Sequence, residues 1–253
     1  MSKKTNYSYV GIAFIILVFG IIFVPKIIDR VSNNDINRTD ESRSNPVNSE
    51  LMETTDDSDL VYITSPNGER KKVPAFSFTN QDGETISNED YLGKVYLVEF
   101  FFTTCPTICP KMNYNMMKLQ DYFKEESDFG IASFTINPEN DTPEVLKAYA
   151  ENYEITNPYW NLLTGDRETI YKLANEGFYL YTKQDEEVEG GFEHSGNFAL
   201  IDKEGYIRSR ITESGSPLIY YNGIISEEEG VDDEGIKEEI SLLKEDITKL
   251  LNE

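Results

Sequence analysis

Two cysteines and one histidine are the only thiols and the only imidazole in the 253-residue chain. The cysteines stand in Thr103-Thr-Cys105-Pro-Thr-Ile-Cys109-Pro-Lys111, directly after the run Val95-Tyr-Leu-Val-Glu-Phe-Phe-Phe102, which reads as a buried central strand. Sites on α/β sheets gather at the carboxyl ends of strands, so this position is itself a functional signal. Pro110 cannot lie deep in a helix, because it lacks an N–H and its ring clashes with the preceding turn. The spacing therefore predicts a helix from about Pro110 to Glu126, with Cys109 near the N-cap and Pro110 at the first helical position. Both sulfurs then lie near a helix N-terminus, whose partial positive charge favours the thiolate, the form that attacks disulfides and binds metals. Thiol-disulfide exchangers usually carry Cys-x-x-Cys, whereas three intervening residues relax the pair and suit two sulfurs converging on one soft cation. The alternative role, two small core hydrophobes, is disfavoured by the flanking prolines and the strand-to-helix position.

His194 stands in Gly190-Gly-Phe-Glu-His-Ser-Gly-Asn197, just before a predicted strand, and reads as a loop residue. A lone loop histidine is more often a plain surface residue. Thioredoxin-like folds, however, carry a Thr-Pro pair at this point, packed against the redox cysteines; here no proline precedes the Asn197 strand and a histidine stands near the position it would fill. In that register the imidazole points at Cys105 and Cys109. Two thiolates and one imidazole match the soft-ligand preference of Cu(I), and the imidazole also makes Cu(II) acceptable.

The elements that must position these groups follow from periodicity and turn chemistry. Val73 to Phe78 reads as a strand with Gln81-Asp-Gly83 as its turn, and Ile131 to Ile136 as the strand after the cysteine helix, completing a strand-helix-strand unit. Asp141-Thr-Pro-Glu144 is a helix start with Thr142 as N-cap and Pro143 at the first position, burying Leu146, Tyr149 and Tyr153. A strand at Trp160 to Leu163 leads through Thr164-Gly-Asp166 into a helix with Ile170, Leu173 and Ala174 on one face. Asn197 to Ile201, the turn Asp202-Lys-Glu-Gly205 and Tyr206 to Ile211 form a hairpin, and the last helix carries Ile236, Ile240, Leu243, Ile247 and Leu250. The acidic runs Asp185 to Glu189 and Glu227 to Glu234 lack the Asp-x-Asp-x-Asp-Gly spacing of a calcium loop and read as solvated faces. Strands alternating with helices early and a hairpin late indicate an α/β sheet layered by helices.

The remainder is organisation. The 46 acidic against 23 basic side chains give a net charge of −23, which repels a phosphate backbone; with no basic cluster in the chain, nucleic acid is not an expected partner. Tyr9 to Val24 is almost wholly apolar, about long enough to span a hydrocarbon core, and ends in Val24-Pro-Lys-Ile-Ile28 without a small-x-small cleavage site, so residues 9–25 are expected to be an uncleaved signal-anchor helix. The expected division is a cytoplasmic tail at 1–8, the anchor at 9–25, a solvated linker at 26–60 and an extracytoplasmic domain at 61–253, making the protein a single-pass membrane protein.

Taken together, Cys105-Pro-x-x-Cys109-Pro, then Asp141-Thr-Pro-Glu-Val-Leu-Lys, then Glu193-His194-Ser and the Asp202-x-x-Gly205 hairpin resemble the Sco/SenC family, over roughly Val73 to Tyr221 and on into Tyr221-Asn222-Gly223, where the family tends to carry Tyr-Asp-Gly. The resemblance implies a thioredoxin-like three-layer sandwich tethered by its N-terminal helix. It also implies a copper protein with Cys105, Cys109 and His194 as metal ligands, acting on the dinuclear copper site of a cytochrome c oxidase by copper delivery or thiol reduction. The implied partners are that oxidase subunit and a thioredoxin-like reductant for the redox pair. One departure is Asn137-Pro138, where the family often reads Asp-Pro. Three functions compete: a metallochaperone, a binding protein and not a turnover enzyme; a thiol-disulfide oxidoreductase; and, weakest, a peroxidase, whose usual Thr spacing before the cysteine is absent. His194 discriminates the first two, because disulfide exchange has no evident need of it.

Overall fold

The computed structural model describes the polypeptide over residues 60–253 apart from positions 66, 186, 189, 213 and 214. Strand β4 (Val95–Phe101) is buried at all seven positions, the pattern of a strand covered on both faces. It pairs in parallel with β5 (Phe129–Thr135), in a register from Val95 opposite Phe129 to Phe101 opposite Thr135, and β5 pairs in parallel with β6 (Trp160–Leu163). On its other side β4 is antiparallel to β9 (Asn197–Ile201). The sheet continues through β10 (Ile207–Arg210) to β1 (Leu60–Tyr62), and β11 (Tyr221–Asn222) joins β9.

Successive side chains of a strand point to opposite faces. Phe100 stacks on Phe134 at 5.4 Å and meets Phe178, while Phe134 also receives Phe76 and Phe78. Phe101 points the other way, onto Tyr149 at 5.5 Å. The sheet is thus the middle layer of a mixed α/β sandwich of the thioredoxin-like kind. Helix α1 (Cys109–Tyr122) buries Met112, Met116 and Leu119. Helix α2 (Pro143–Asn152) starts as its sequence predicts, with the Thr142 side chain accepting from the Val145 N–H and Pro143 in the first turn; it buries Leu146 and Ala150, with Tyr149 and Tyr153 half-buried. Helix α3 (Arg167–Lys172) is capped by Asp166 and runs into a π-helical turn, Leu173–Phe178.

Several expectations are corrected. The segment beginning at Val73 becomes a strand only at β2 (Ser77–Thr79), which pairs with β3 (Thr85–Ser87) around Gly83; Pro74 has no N–H to give a ladder. The cysteine helix ends at Tyr122 and not near Glu126. The last helix, α4 (Ile240–Asn252), excludes Ile236, which is 45% exposed and sits in a turn where its N–H donates to Asp232. Leu60, counted with the linker, is buried in β1. The anchor at 9–25 and the rest of the linker lie outside the described residues; among those described, no helix is long and apolar enough to cross a membrane.

Candidate metal centre

The chain leaves β4 at Phe101 and turns at once, the Cys105 N–H donating to the Phe102 carbonyl at 3.2 Å. Helix α1 begins one residue earlier than its proline suggests, with Ile108 at the cap, Cys109 as the first helical residue and Pro110 second. A proline fits there equally well, since no N–H in the first turn has a helical partner. Cys109 is therefore part of the helix while Cys105 remains in the loop. Cys109 is 1% exposed and Cys105 is 8% exposed, so a solute meets Cys105 first.

His194 is not a loop residue. It ends β8 (Phe192–His194), which pairs antiparallel with β7 (Thr182–Gln184), Thr182 opposite His194. Asp185 and Val188, from the acidic run read as a solvated face, lie in the turn of this hairpin, where the Asp185 N–H donates to the Gly191 carbonyl. Sequence periodicity missed it because both strands are three residues long and mostly polar. The hairpin lies directly on the cysteine loop: a Cβ added at Gly190, whose φ is +89°, would stand 2.9 Å from Pro106 Cδ and 3.1 Å from Phe102 Cζ. At Gly191, φ +81°, the same atom would meet nothing within 4 Å. Phe102 also lies edge-on to the His194 ring, centroids 5.8 Å apart.

This closure brings all three sequence-predicted residues together. The donor atoms of Cys105, Cys109 and His194 lie within 4.8 Å of one another. His194 Nδ1 is 3.2 Å from the Ser195 carbonyl and Nε2 is 3.2 Å from Cys109 Sγ. A carbonyl only accepts, so Nδ1 carries the hydrogen in that contact and Nε2 is the nitrogen turned toward the thiols. Bonds of about 2.0 Å to imidazole and 2.3 Å to thiolate place donors up to roughly 4.6 Å apart around one ion. The three donors therefore reach a single metal with sub-ångström movement. A cavity of about 200 Å³ opens onto Cys105 and His194 and is walled also by Thr107, Ile108, Val188, Phe192 and Glu193.

The two thiols are electrostatically unequal. A hydrogen bond from Cys109 pulls Cys105 down to about 3, against the opposing effect of burial, with further help from His194 and the backbone N–H groups of Cys109 and Thr107. Burial, and then the bond to Cys105, push Cys109 up. Cys105 is thus the more acidic thiol of the pair and Cys109 the one that keeps its proton longer. Sequence reasoning overlooked Glu99, the single charge in the β4 run. It is fully buried; Oε1 accepts from the Ser133 hydroxyl at 2.7 Å and Oε2 has no partner among the described residues. Burial raises its carboxyl to about 7, while Ser133 and the charge of His194 act in the other direction. A lone acid inside an apolar strand was the available signal.

Comparison with known proteins gives the same assignment as the motifs. The SCO1/SenC family model matches residues 64–226. The SCO1 protein homolog of Bacillus subtilis strain 168 is 39% identical over 138 residues, covering 54% of this chain and 71% of the relative. The solved structure of BsSco, described as carrying a disulfide switch and as a member of the Sco family of cytochrome c oxidase assembly proteins, is 32% identical with a TM-score of 0.57, covering 72% of this chain and 94% of its own. ScoI of Arabidopsis thaliana, solved with copper bound, shares the fold at 22% identity and a TM-score of 0.52, covering 71% of this chain and 98% of its own.

Proposed function

The chain belongs to the SCO1/SenC family, and from that premise we propose that it is a copper metallochaperone whose cargo is held by Cys105, Cys109 and His194. The observation that carries the reading is the convergence of two sulfurs and one imidazole nitrogen within 4.8 Å. Thiolates are the soft donors that select Cu(I), and the added nitrogen extends the set toward Cu(II). Cys105 already offers a thiolate, and Cys109 releases its proton when the ion arrives. Family membership and the likeness to BsSco, a member of the Sco family of cytochrome c oxidase assembly proteins, support the dinuclear copper site of a cytochrome c oxidase as the destination. The apolar run at residues 9–25 supports a membrane anchor, followed by a linker and by the domain from Leu60 onward on the extracytoplasmic side.

A second reading is favoured by the inequality of the thiols. An acidic, slightly exposed Cys105 next to a buried, protonated Cys109 is the arrangement of an attacking and a resolving sulfur. In this role the protein reduces partner disulfides and is itself restored by a thioredoxin-like reductant.

Titration of Cu(I) and Cu(II) into reduced and oxidised protein separates the readings. One copper per chain is expected only with both thiols reduced, because a disulfide has no thiolate to offer; equal binding by the oxidised form overturns the metallochaperone. His194→Ala is expected to weaken Cu(II) far more than Cu(I) and to leave thiol exchange largely intact. Unchanged affinity in both states would remove His194 from the ligand set and put the oxidoreductase first.

A further inference from the structure

Asp141 reads from sequence as part of a helix start, yet it does not cap α2; Thr142 does. Asp141 has no exposed surface at all, and its carboxylate collects donors from three separate places. Oδ1 accepts from the Thr103 hydroxyl at 2.5 Å and from Asn140 Nδ2 at 2.8 Å. Oδ2 accepts from the Thr103 backbone N–H at 3.1 Å and from the hydroxyl of Thr135, the last residue of β5. Two of these four bonds end on Thr103, the residue inside the turn between the Phe102 carbonyl and the Cys105 N–H.

A buried carboxylate is costly unless saturated with donors, and neutral groups of similar shape hold a loop about as well. What the charge adds is stiffness and direction, since charge-assisted bonds are shorter and roughly twice as strong as neutral ones. Here that stiffness is applied two residues before the first thiol. The anchor on the far side is β5, the neighbour of the strand from which the cysteine loop departs. We infer that Asp141 is a positioning residue for the Cys105 thiol, acting through Thr103 to hold the sulfur in register with Cys109 and His194. The inference rests on the reading of these three residues as one site. It makes the Asp141-Thr-Pro motif a device with two outputs, a helix start through Thr142 and a fixed sulfur through Asp141.

The test compares Asp141→Asn, Thr103→Val and Thr135→Val in the full-length protein. Three quantities are read: the Cu(I) dissociation constant by competition with a chromophoric chelator, the Cys105–Cys109 dithiol-disulfide equilibrium in glutathione buffers, and the thermal midpoint. Asp141→Asn keeps the shape but sets an amide N–H against the Thr103 donors. It is expected to weaken Cu(I) by about 10- to 100-fold, the range seen when an outer partner of a metal ligand is lost, and to shift the dithiol-disulfide equilibrium. Thr103→Val, which removes only the hydroxyl bond, is expected to move both in the same direction by less. Thr135→Val touches the same carboxylate from the β5 side and is expected to lower the midpoint alone. If Asp141→Asn changes only the midpoint, or Thr135→Val moves both equilibria as far as Thr103→Val, the inference is overturned. Should Asp141→Asn fail to fold, Thr103→Val decides by the same two equilibria. Failure of the wild-type protein to bind copper defeats the site reading instead, and the dithiol-disulfide equilibrium still tests Asp141.

Discussion

Asp246 on α4 and Cys109 on α1 are almost equally hidden, 0% and 1% exposed, but their surroundings differ in kind. Asp246 accepts from Arg210 Nε and Nη2 at 2.6 and 2.5 Å and from the Tyr221 hydroxyl at 2.7 Å, with Lys249 at 3.6 Å. Beside it Arg208 grips Asp202 at 3.1 Å and Glu253 through two bonds. Cys109 has the imidazole and the other thiol, and Glu99, the acid in β4, leaves one oxygen without a partner among the described residues. The Asp246 carboxylate that locks α4 to the sheet is saturated, although Arg208 Nε and Ser209 Oγ on the neighbouring strand have no partner among the described residues; at the cysteine site the sulfurs and one Glu99 oxygen keep lone pairs free. A group already saturated with donors, like the Asp246 carboxylate, cannot accept an ion without losing bonds of comparable strength, whereas the two sulfurs and the imidazole can take one at little cost.

The sharpest way to break this contrast is at the saturated end. Asp246→Ala takes the acceptor from the Tyr221 hydroxyl and leaves Arg210 with only Glu245 and the Leu242 carbonyl, and removing one partner of a buried pair costs about 3–5 kcal/mol. A large fall in thermal midpoint is expected, with copper stoichiometry of the remaining folded protein unchanged; loss of copper binding in the folded fraction would show that the two regions are not separable. A smaller effect is expected from paired substitutions in the hairpin. Gly190→Ala and Gly191→Ala both force a residue with a Cβ into a left-handed conformation, at about 1–2 kcal/mol each, but only the first drives that Cβ into Pro106 and Phe102. Only Gly190→Ala is expected to weaken copper binding as well as stability. Equal losses of affinity in the two variants would mean that the hairpin does not press on the cysteine loop.

The smallest effect is a pH profile that stays flat. With Cys105 held near 3, its alkylation by iodoacetamide, followed by mass spectrometry, is expected to change less than about twofold between pH 5 and 8, where an ordinary thiol gains about tenfold per pH unit. A tenfold rise per unit would place the thiolate elsewhere. The linked stability follows in sign: the folded pKa lies below the unfolded value of about 8.5. The folded state therefore binds fewer protons between the two, so this contribution is fully present above pH 8.5 and is lost as pH falls toward 3. Glu99, raised to about 7, acts oppositely, stabilising below its unfolded value near 4.3 and losing that contribution as pH rises through 7.

What the sequence by itself determined is whatever short-range chemistry controls. Pro110 and the apolar run before it place both cysteines at a strand-to-helix junction, Thr142-Pro143 starts α2, and Asp202 to Gly205 turns the β9–β10 hairpin; each depends on residues within a few positions of one another. Three motifs in order also sufficed to assign the family. Other features were settled only by the tertiary structure. The strands around His194 are too short and too polar to announce themselves; Thr182 pairs with His194, and the hairpin they form is held where Gly190 packs on Pro106, a contact between segments some eighty residues apart in the chain. The split between a lowered Cys105 and a raised Cys109 comes from the hydrogen bond between the two thiols and from burial, with His194 helping at Cys105, and neither the burial nor His194 is encoded by a local pattern. Asp141 shows the boundary within one motif: its neighbour Thr142 acts on the next turn of helix, whereas its own carboxylate reaches across to Thr103, and only folding brings those two together.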